Sequence, residues 1–174
     1  MRERRARAKR AEAVSFRKGL VTARNVTHGL GTAVAVTVEM KMGRLLEIRV
    51  HSGYRSVAEV DAMFERVAAV VSAEAPPPQQ HVTIADWRRC TLMSGEAAAR
   101  LQEGMAHTNP LVLRAAALAS HESPSAVMQF LRVVRDSQHE GRRLFFDEAS
   151  LGKWLGEVLT PSEAARLRVF LRER

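Results

Sequence analysis

The sequence has very few cysteine and aromatic residues, and this scarcity limits the kinds of site that the chain can form. Cys90 is its one cysteine, which excludes a disulfide within the chain and any metal site with several cysteine ligands. Aromatic residues make up 5% of the chain, with two Trp and one Tyr. We therefore expect a core of Val, Leu, Ala and Met, and no aromatic platform on which nucleic-acid bases could stack.

Long apolar runs are also missing. No stretch approaches the roughly 18 to 20 apolar residues of a membrane-spanning helix. The N-terminus lacks the apolar segment of a secretory signal, since its first residues are strongly charged. We predict a cytoplasmic protein from these two absences. At 174 residues, the chain has the length of one domain with a tail.

The net charge of +8 is concentrated at the N-terminus. Residues 1–24 hold nine basic and two acidic side chains, whereas the other 150 residues hold 18 basic and 17 acidic ones. Many like charges without apolar periodicity are typical of disorder. We therefore predict a basic, disordered arm over residues 1–25 and one domain over residues 26–174. The arm is either a solvated leader or makes weak contacts with nucleic acid or an anionic membrane through residues 2–24.

Beyond the arm, strand patterns alternate with helix patterns. Alternating or continuous apolar residues predict strands at 26–40, 44–50, 81–85, 112–119 and 142–146. Apolar residues at helical spacing predict a helix after each of the last four strands, and a further helix begins at the capping residue Thr160. This alternation implies parallel pairing, while the opening hairpin is antiparallel. The predicted fold class is α/β, with a mixed, mostly parallel sheet of four to five strands and an extra C-terminal helix.

Three passages carry a resemblance to a known family. They are Leu45–Val71 with the turn Tyr54-Arg55-Ser56, Val82–Asp86 followed by Leu92-Met93-Ser94-Gly95, and Leu144–Ala149 leading to Trp154-Leu155. In their order and spacing, residues 43 to 155 resemble the STAS domain. The branch they resemble is the SpoIIAA-like one, which relates anti-sigma-factor antagonists to lipid-binding Sec14 domains. The resemblance implies a STAS/SpoIIAA-like fold.

The resemblance also implies a regulatory module that binds a protein partner and catalyses no reaction. In the anti-sigma-factor antagonists, the loop after the central strand carries a Ser that a partner kinase phosphorylates. In this chain the loop and the following helix start contain Asp86, Trp87, Ser94, Gly95 and Glu96. We expect these residues to contact a regulator or a kinase-like protein. Ser94 is the candidate phosphorylation site or only a helix cap, and a match without a gap places Glu96 at the phosphorylated position.

No group of residues predicts a catalytic, metal or cofactor site. The six histidines are scattered singly, without the spacing of convergent metal ligands. Gly29 and Gly31 form a Gly-x-Gly that lacks the third glycine of a dinucleotide site. Ser120-His121-Glu122 combines the residue types of a catalytic triad, but a triad assembles from residues that are distant in sequence. We expect no enzyme, metal or cofactor, and a homodimer stays an open alternative.

The sequence leaves several roles open. A Sec14-like domain for a small ligand or lipid would need a cavity, and the small side chains of residues 115–119 leave space for one. Asp86 either faces a ligand or fixes its loop through backbone amides. Trp87 is either an exposed interface anchor or a core residue. Cys90 is either activated by the two arginines before it or buried and unreactive.

Overall fold

The computed structural model describes residues 36–74 and 79–173. Within them the strands are β1 (Val36–Met42), β2 (Leu45–Val50), β3 (His81–Trp87), β4 (Val112–Ala119) and β5 (Arg142–Phe145). The helices are α1 (Val57–Glu74), α2 (Gly95–Thr108), α3 (Pro124–Asp136), α4 (Glu148–Gly156) and α5 (Pro161–Arg172), with a 3-10 turn at Asn109–Leu111. The predicted arm over residues 1–25 and the first part of the predicted strand 26–40 lie outside the described residues.

The strands form one sheet in the order β1-β2-β3-β4-β5. The first pair is antiparallel and the other three pairs are parallel. A two-residue turn joins β1 to β2, and its Gly43 has a φ of 55°, a conformation that glycine adopts without steric cost. The prediction of a mixed, mostly parallel sheet is confirmed.

Helices cover both faces of this sheet. The apolar sides of α1, α2 and α3 pack on one face, and those of α4 and α5 pack on the other. The polar residues Glu47 and Arg49 alternate with apolar ones in β2, a pattern that predicts a strand with one exposed face. That interpretation is wrong, because α5 covers this side of β2 and Glu47 is fully buried beneath it.

Side-chain caps fix where the helices begin. The hydroxyl of Ser94 accepts a hydrogen bond from the amide of Ala97 at the start of α2, and Ser123 caps α3 in the same way. Thr160 and Glu163 form a reciprocal capping box at the start of α5. These predicted helix starts are confirmed. Across the described residues, none of the helices combines the length and the apolar character that crossing a bilayer requires.

Candidate functional site

The predicted contact residues lie where β3 ends and α2 begins, at the carboxyl edge of the parallel strands. Open α/β sheets commonly bind ligands and partners at this edge. The loop after β2 packs closely against the loop after β3. A Cβ atom on Gly53 would lie only 3.1 Å from the amide nitrogen of Thr91. Gly53 also has a φ of 80°. Glycine therefore suits this position for two reasons, because it adopts a positive φ without strain and because it has no Cβ atom to contact Thr91.

Asp86 is buried and holds the start of the loop. Its Oδ1 accepts hydrogen bonds from the backbone amide of Arg88 at 3.1 Å and from Nε of the same residue at 2.9 Å. Its Oδ2 lies 2.7 Å from Nη2 of Arg88 and 3.5 Å from Nη1 of Arg49. Burial would raise the pKa of Asp86, but these hydrogen bonds and charges lower it overall. Asp86 therefore fixes the loop, and its side chain is not exposed to a partner.

Trp87 is a core residue. Its side chain is 5% exposed, and its ring packs edge-on against Phe130 of α3 with 5.2 Å between the centroids. Because the ring lies between the sheet and α3, it cannot anchor an interface, and the exposed alternative is excluded. Trp87 can influence a partner only through the packing of α3.

Ser94, Gly95 and Glu96 are exposed at the start of α2. The Ser94 hydroxyl accepts a hydrogen bond from the Ala97 amide at 3.2 Å, so Ser94 caps α2. A Cβ atom on Gly95 would meet nothing within 4 Å, which leaves open space beside this helix start. Contact with a partner through these three residues stays a prediction, as does phosphorylation of Ser94.

A groove between α2 and α3 adjoins these residues, and the sequence pattern does not predict it. It has a volume of about 390 Å³ and is lined by Gly95, Ala98 and Gln102 of α2 and by Met128, Gln129 and Arg132 of α3. The apolar pattern of α3 predicts a core-facing side made of Val127, Met128, Phe130, Leu131 and Val134. The prediction is confirmed for Phe130 and Val134, which are buried together with Ala126 and Val133. It is wrong for Met128 and Leu131, which are exposed. One feature of the sequence does indicate an exposed apolar side, because the apolar residues of α3 cover more of its circumference than one buried face needs.

Gln129 connects the loop to α3. Its Oε1 accepts a hydrogen bond from the backbone amide of Met93 at 2.9 Å, and its Nε2 donates one to the carbonyl of Met93, also at 2.9 Å. Met93 itself is buried, whereas the preceding Leu92 is exposed. We call this pair of hydrogen bonds the Gln129 clamp. It holds the loop that carries Leu92 against α3, and Met128 of α3 is exposed as well.

Three further candidates are the Cys90 thiol, a metal site and a cavity for a lipid. Cys90 is buried, and burial raises the pKa of its thiol to about 12 despite the neighbouring arginines. Within residues 36–74 and 79–173, no three His, Cys, Asp or Glu side chains converge as metal ligands would. Residues 115–117 do line a pocket, but its volume is about 70 Å³. Pockets for drug-sized ligands are roughly 300 to 1,000 Å³, so this space does not suit a lipid.

Comparison with known proteins supports the fold. No protein-family model matches the chain, and no curated protein shows significant similarity to it. Among solved structures, the chain is similar to an uncharacterized protein of the DUF3478 family with a SpoIIAA-like fold from Shewanella loihica PV-4. The two chains are 16% identical with a TM-score of 0.51, over 73% of this chain and 99% of that one. This identity is informative about the fold alone, and the predicted SpoIIAA-like α/β fold is confirmed.

Proposed function

We propose that the chain is a non-enzymatic regulatory module that binds a protein partner through one exposed surface. This surface consists of the loop before α2, the first turn of α2 and the side of α3 that borders the groove. We call it the α2–α3 surface and define it by Leu92, Ser94, Gly95, Glu96, Met128 and Arg132. It keeps the exposed part of the predicted contact set, Ser94, Gly95 and Glu96, and adds Leu92 and the side of α3.

The exposure of large apolar side chains carries the proposal. Met128 is 66% exposed and Leu92 is 56% exposed. Contiguous apolar patches with polar rims mark interaction sites on soluble proteins more often than isolated apolar residues do. Here the Gln129 clamp fixes the loop of Leu92 against the helix of Met128, so both side chains are presented from rigidly connected elements.

The groove gives a partner side chain a place to enter. Its α2 wall has only small residues near the helix start, Gly95 and Ala98, so the backbone is accessible. Gln102 and Arg132 add hydrogen-bond donors at its border. An interface with an apolar centre and a polar rim is the usual arrangement between proteins. This chemistry suits a protein that inserts an apolar side chain into the groove.

Ser94 supplies a means of regulating such an interface. A phosphate there would lie at the N-terminus of α2, where the backbone amides and the helix dipole favour negative charge. It would also lie on the α2–α3 surface, so a docked partner would have to accommodate two added charges. Together with the SpoIIAA-like fold, this placement supports a regulator or kinase-like protein as the partner.

The test compares Met128→Asp with Val169→Asp. Val169 is also an exposed apolar residue, but it lies on α5, on the opposite side of the sheet. Each variant and the wild type serve as bait in cross-linking pull-downs from the native host. We expect Met128→Asp to lose a specific partner that Val169→Asp retains, with thermal midpoints that stay within a few degrees of the wild type.

Two outcomes would change the proposal. Retention of every partner by Met128→Asp, or equal loss by Val169→Asp, would remove the α2–α3 surface as the binding site. Light scattering on the same three proteins tests for self-association. A dimer that only Met128→Asp dissociates would identify the partner as a second copy of the chain.

A further inference from the structure

His81 at the start of β3 is a buried polar side chain that lacks a hydrogen-bond partner. The residue is 2% exposed. Among the described residues, its Nδ1 is the only buried side-chain nitrogen or oxygen atom without a partner. Such atoms are rare in folded proteins because their desolvation is uncompensated, and each one calls for an explanation such as a bound molecule.

Arg142 of β5 carries a positive charge that no described carboxylate neutralises. Its Nε donates to Oδ1 of Asn109 at 3.0 Å, and its Nη2 donates to the carbonyl of Met105 at 2.9 Å and to Oγ1 of Thr108 at 3.1 Å. All three acceptors are uncharged. Burial lowers the pKa of Arg142 to about 10, which still leaves the guanidinium charged at neutral pH. Buried charges are usually paired.

Both residues line the same pocket of about 70 Å³, between the sheet and helices α1, α2 and α3. Its lining includes the apolar side chains of Met63, Val67, Leu101 and Val134. The titratable residues that line it are His81, Tyr54, Arg142 and Arg143, with no Asp or Glu among them. The Arg143 guanidinium stacks on Trp154, 5.0 Å from the ring centroid. The pocket therefore has apolar walls and a basic end.

We propose that this pocket binds a small carboxylate, the anion of a one- or two-carbon acid, between Arg142 and His81. A cavity of roughly 150 Å³ binds the six carbon atoms of benzene. In proportion, this pocket of about 70 Å³ holds about three non-hydrogen atoms, close to the size of formate or acetate. Arginine pairs well with a carboxylate through charge-assisted hydrogen bonds. The unpartnered His81 ring supplies a second donor, and a short alkyl group contacts the apolar walls.

The apolar walls distinguish a carboxylate from an inorganic oxyanion. Phosphate is strongly hydrated and would need a polar partner for each of its oxygens, whereas most of this pocket offers none. Burial and the charge of Arg142 both lower the pKa of His81, to about 4. A bound anion opposes the second effect, so binding should raise the pKa of His81 and take up a proton as the pH decreases.

The experiment is an NMR titration of the full chain, labelled with ¹⁵N at histidine, at constant ionic strength. Acetate is compared with acetamide, its uncharged analogue of similar shape, and with phosphate. We expect acetate to shift the ring-nitrogen resonances of His81 and to raise its pKa by about one unit or more. His51, which does not line the pocket, should keep its resonances. Acetamide should leave the His81 resonances unchanged.

Variants give a second readout. Arg142→Met should weaken acetate binding by about tenfold or more, because a charge-assisted hydrogen bond is lost. Arg89→Met, which removes an exposed arginine outside the pocket, should leave the affinity within about twofold. Equal responses to acetate and acetamide, a response to phosphate alone, or no response at His81 would each overturn the proposal. If Arg142→Met does not fold, the wild-type comparison of the acid with its amide still decides.

Discussion

At the scale of single residues, Gly104 of α2 lies directly against the Phe64 ring of α1. A Cβ atom there would lie 2.2 Å from Cε2 of the Phe64 ring. Phe64 packs against the core from the edge of α1 and also lines the small pocket of His81. In an isolated helix, glycine is less stable than alanine. The advantage of Gly104 is therefore the space that it leaves for the Phe64 ring.

Replacing this glycine by alanine should therefore destabilise the protein. Alanine favours the helix by about 1 kcal/mol, but its methyl group would displace the Phe64 ring at a cost of roughly 1 to 3 kcal/mol. Gly152→Ala in α4 is the matched control, because a Cβ atom there meets nothing within 4 Å. We expect it to stabilise the protein by about 0.5 to 1 kcal/mol. Urea titrations measure both changes, and a stabilised Gly104→Ala would contradict the packing.

At the scale of elements, buried ion pairs attach α5 to the sheet. Arg166 of α5 donates to both carboxylate oxygens of Glu47 at 2.6 Å. Glu163, also on α5, accepts the backbone amide of Arg44 at 2.7 Å. Burial would raise the pKa of Glu163, but the amides of Arg44 and Thr160 and the Arg44 guanidinium lower it to about 2. The face that α5 covers is therefore held partly by charge, and partly by its apolar residues.

Glu47 and Glu39 give a direct measure of what burial adds to an ion pair. They are opposite each other in the β1–β2 register, and the side chain of Glu47 is 2% exposed while that of Glu39 is 51% exposed. Glu47→Ala leaves Arg166 with only its half-exposed partner Glu173 and should cost about 3 kcal/mol, the lower end of the range for a broken buried pair. Glu39→Ala breaks an exposed pair with Lys41 and should cost about 0 to 1 kcal/mol. Equal losses in denaturant titration would mean that α5 is not held by this pair.

At the scale of the whole molecule, His81 makes stability depend on pH. Its pKa is 6.5 in the unfolded chain and about 4 in the folded protein, because burial and the charge of Arg142 oppose protonation. Between these values the unfolded chain binds the proton and the folded protein does not. The free energy of unfolding should therefore decrease as the pH is lowered from 6.5 to 4, by roughly 3 kcal/mol in total.

Denaturant titrations across this range test the assignment. His81→Leu should remove most of the decrease between pH 6.5 and 4, while His51→Leu, outside the pocket, should preserve it. Glu163 and Asp86, two buried carboxylates with a lowered pKa, lose their contributions only in more acidic solution. A pH dependence that is identical in His81→Leu and the wild type would show that another group causes it.

Much of the site could be located from sequence, but its exposed side chains could not. The Asp at the end of β3 and the cap at Ser94 are local features, since strand ends and caps depend on neighbouring residues. The exposure of Met128 and the burial of Trp87 depend on which side of α3 meets the sheet. That choice is made by Phe130 and Val133, which pack against residues far away in the sequence.

The sequence by itself determined the order of strands and helices, the mixed character of the sheet and most helix starts. These follow from hydrophobic period, capping and the need of parallel strands for a crossover. Only the tertiary structure decided that β2 is covered on both faces, that α2 and α3 leave a groove, and that His81 and Arg142 share a pocket. Each of these depends on contacts between distant residues, and a local pattern does not specify which elements meet.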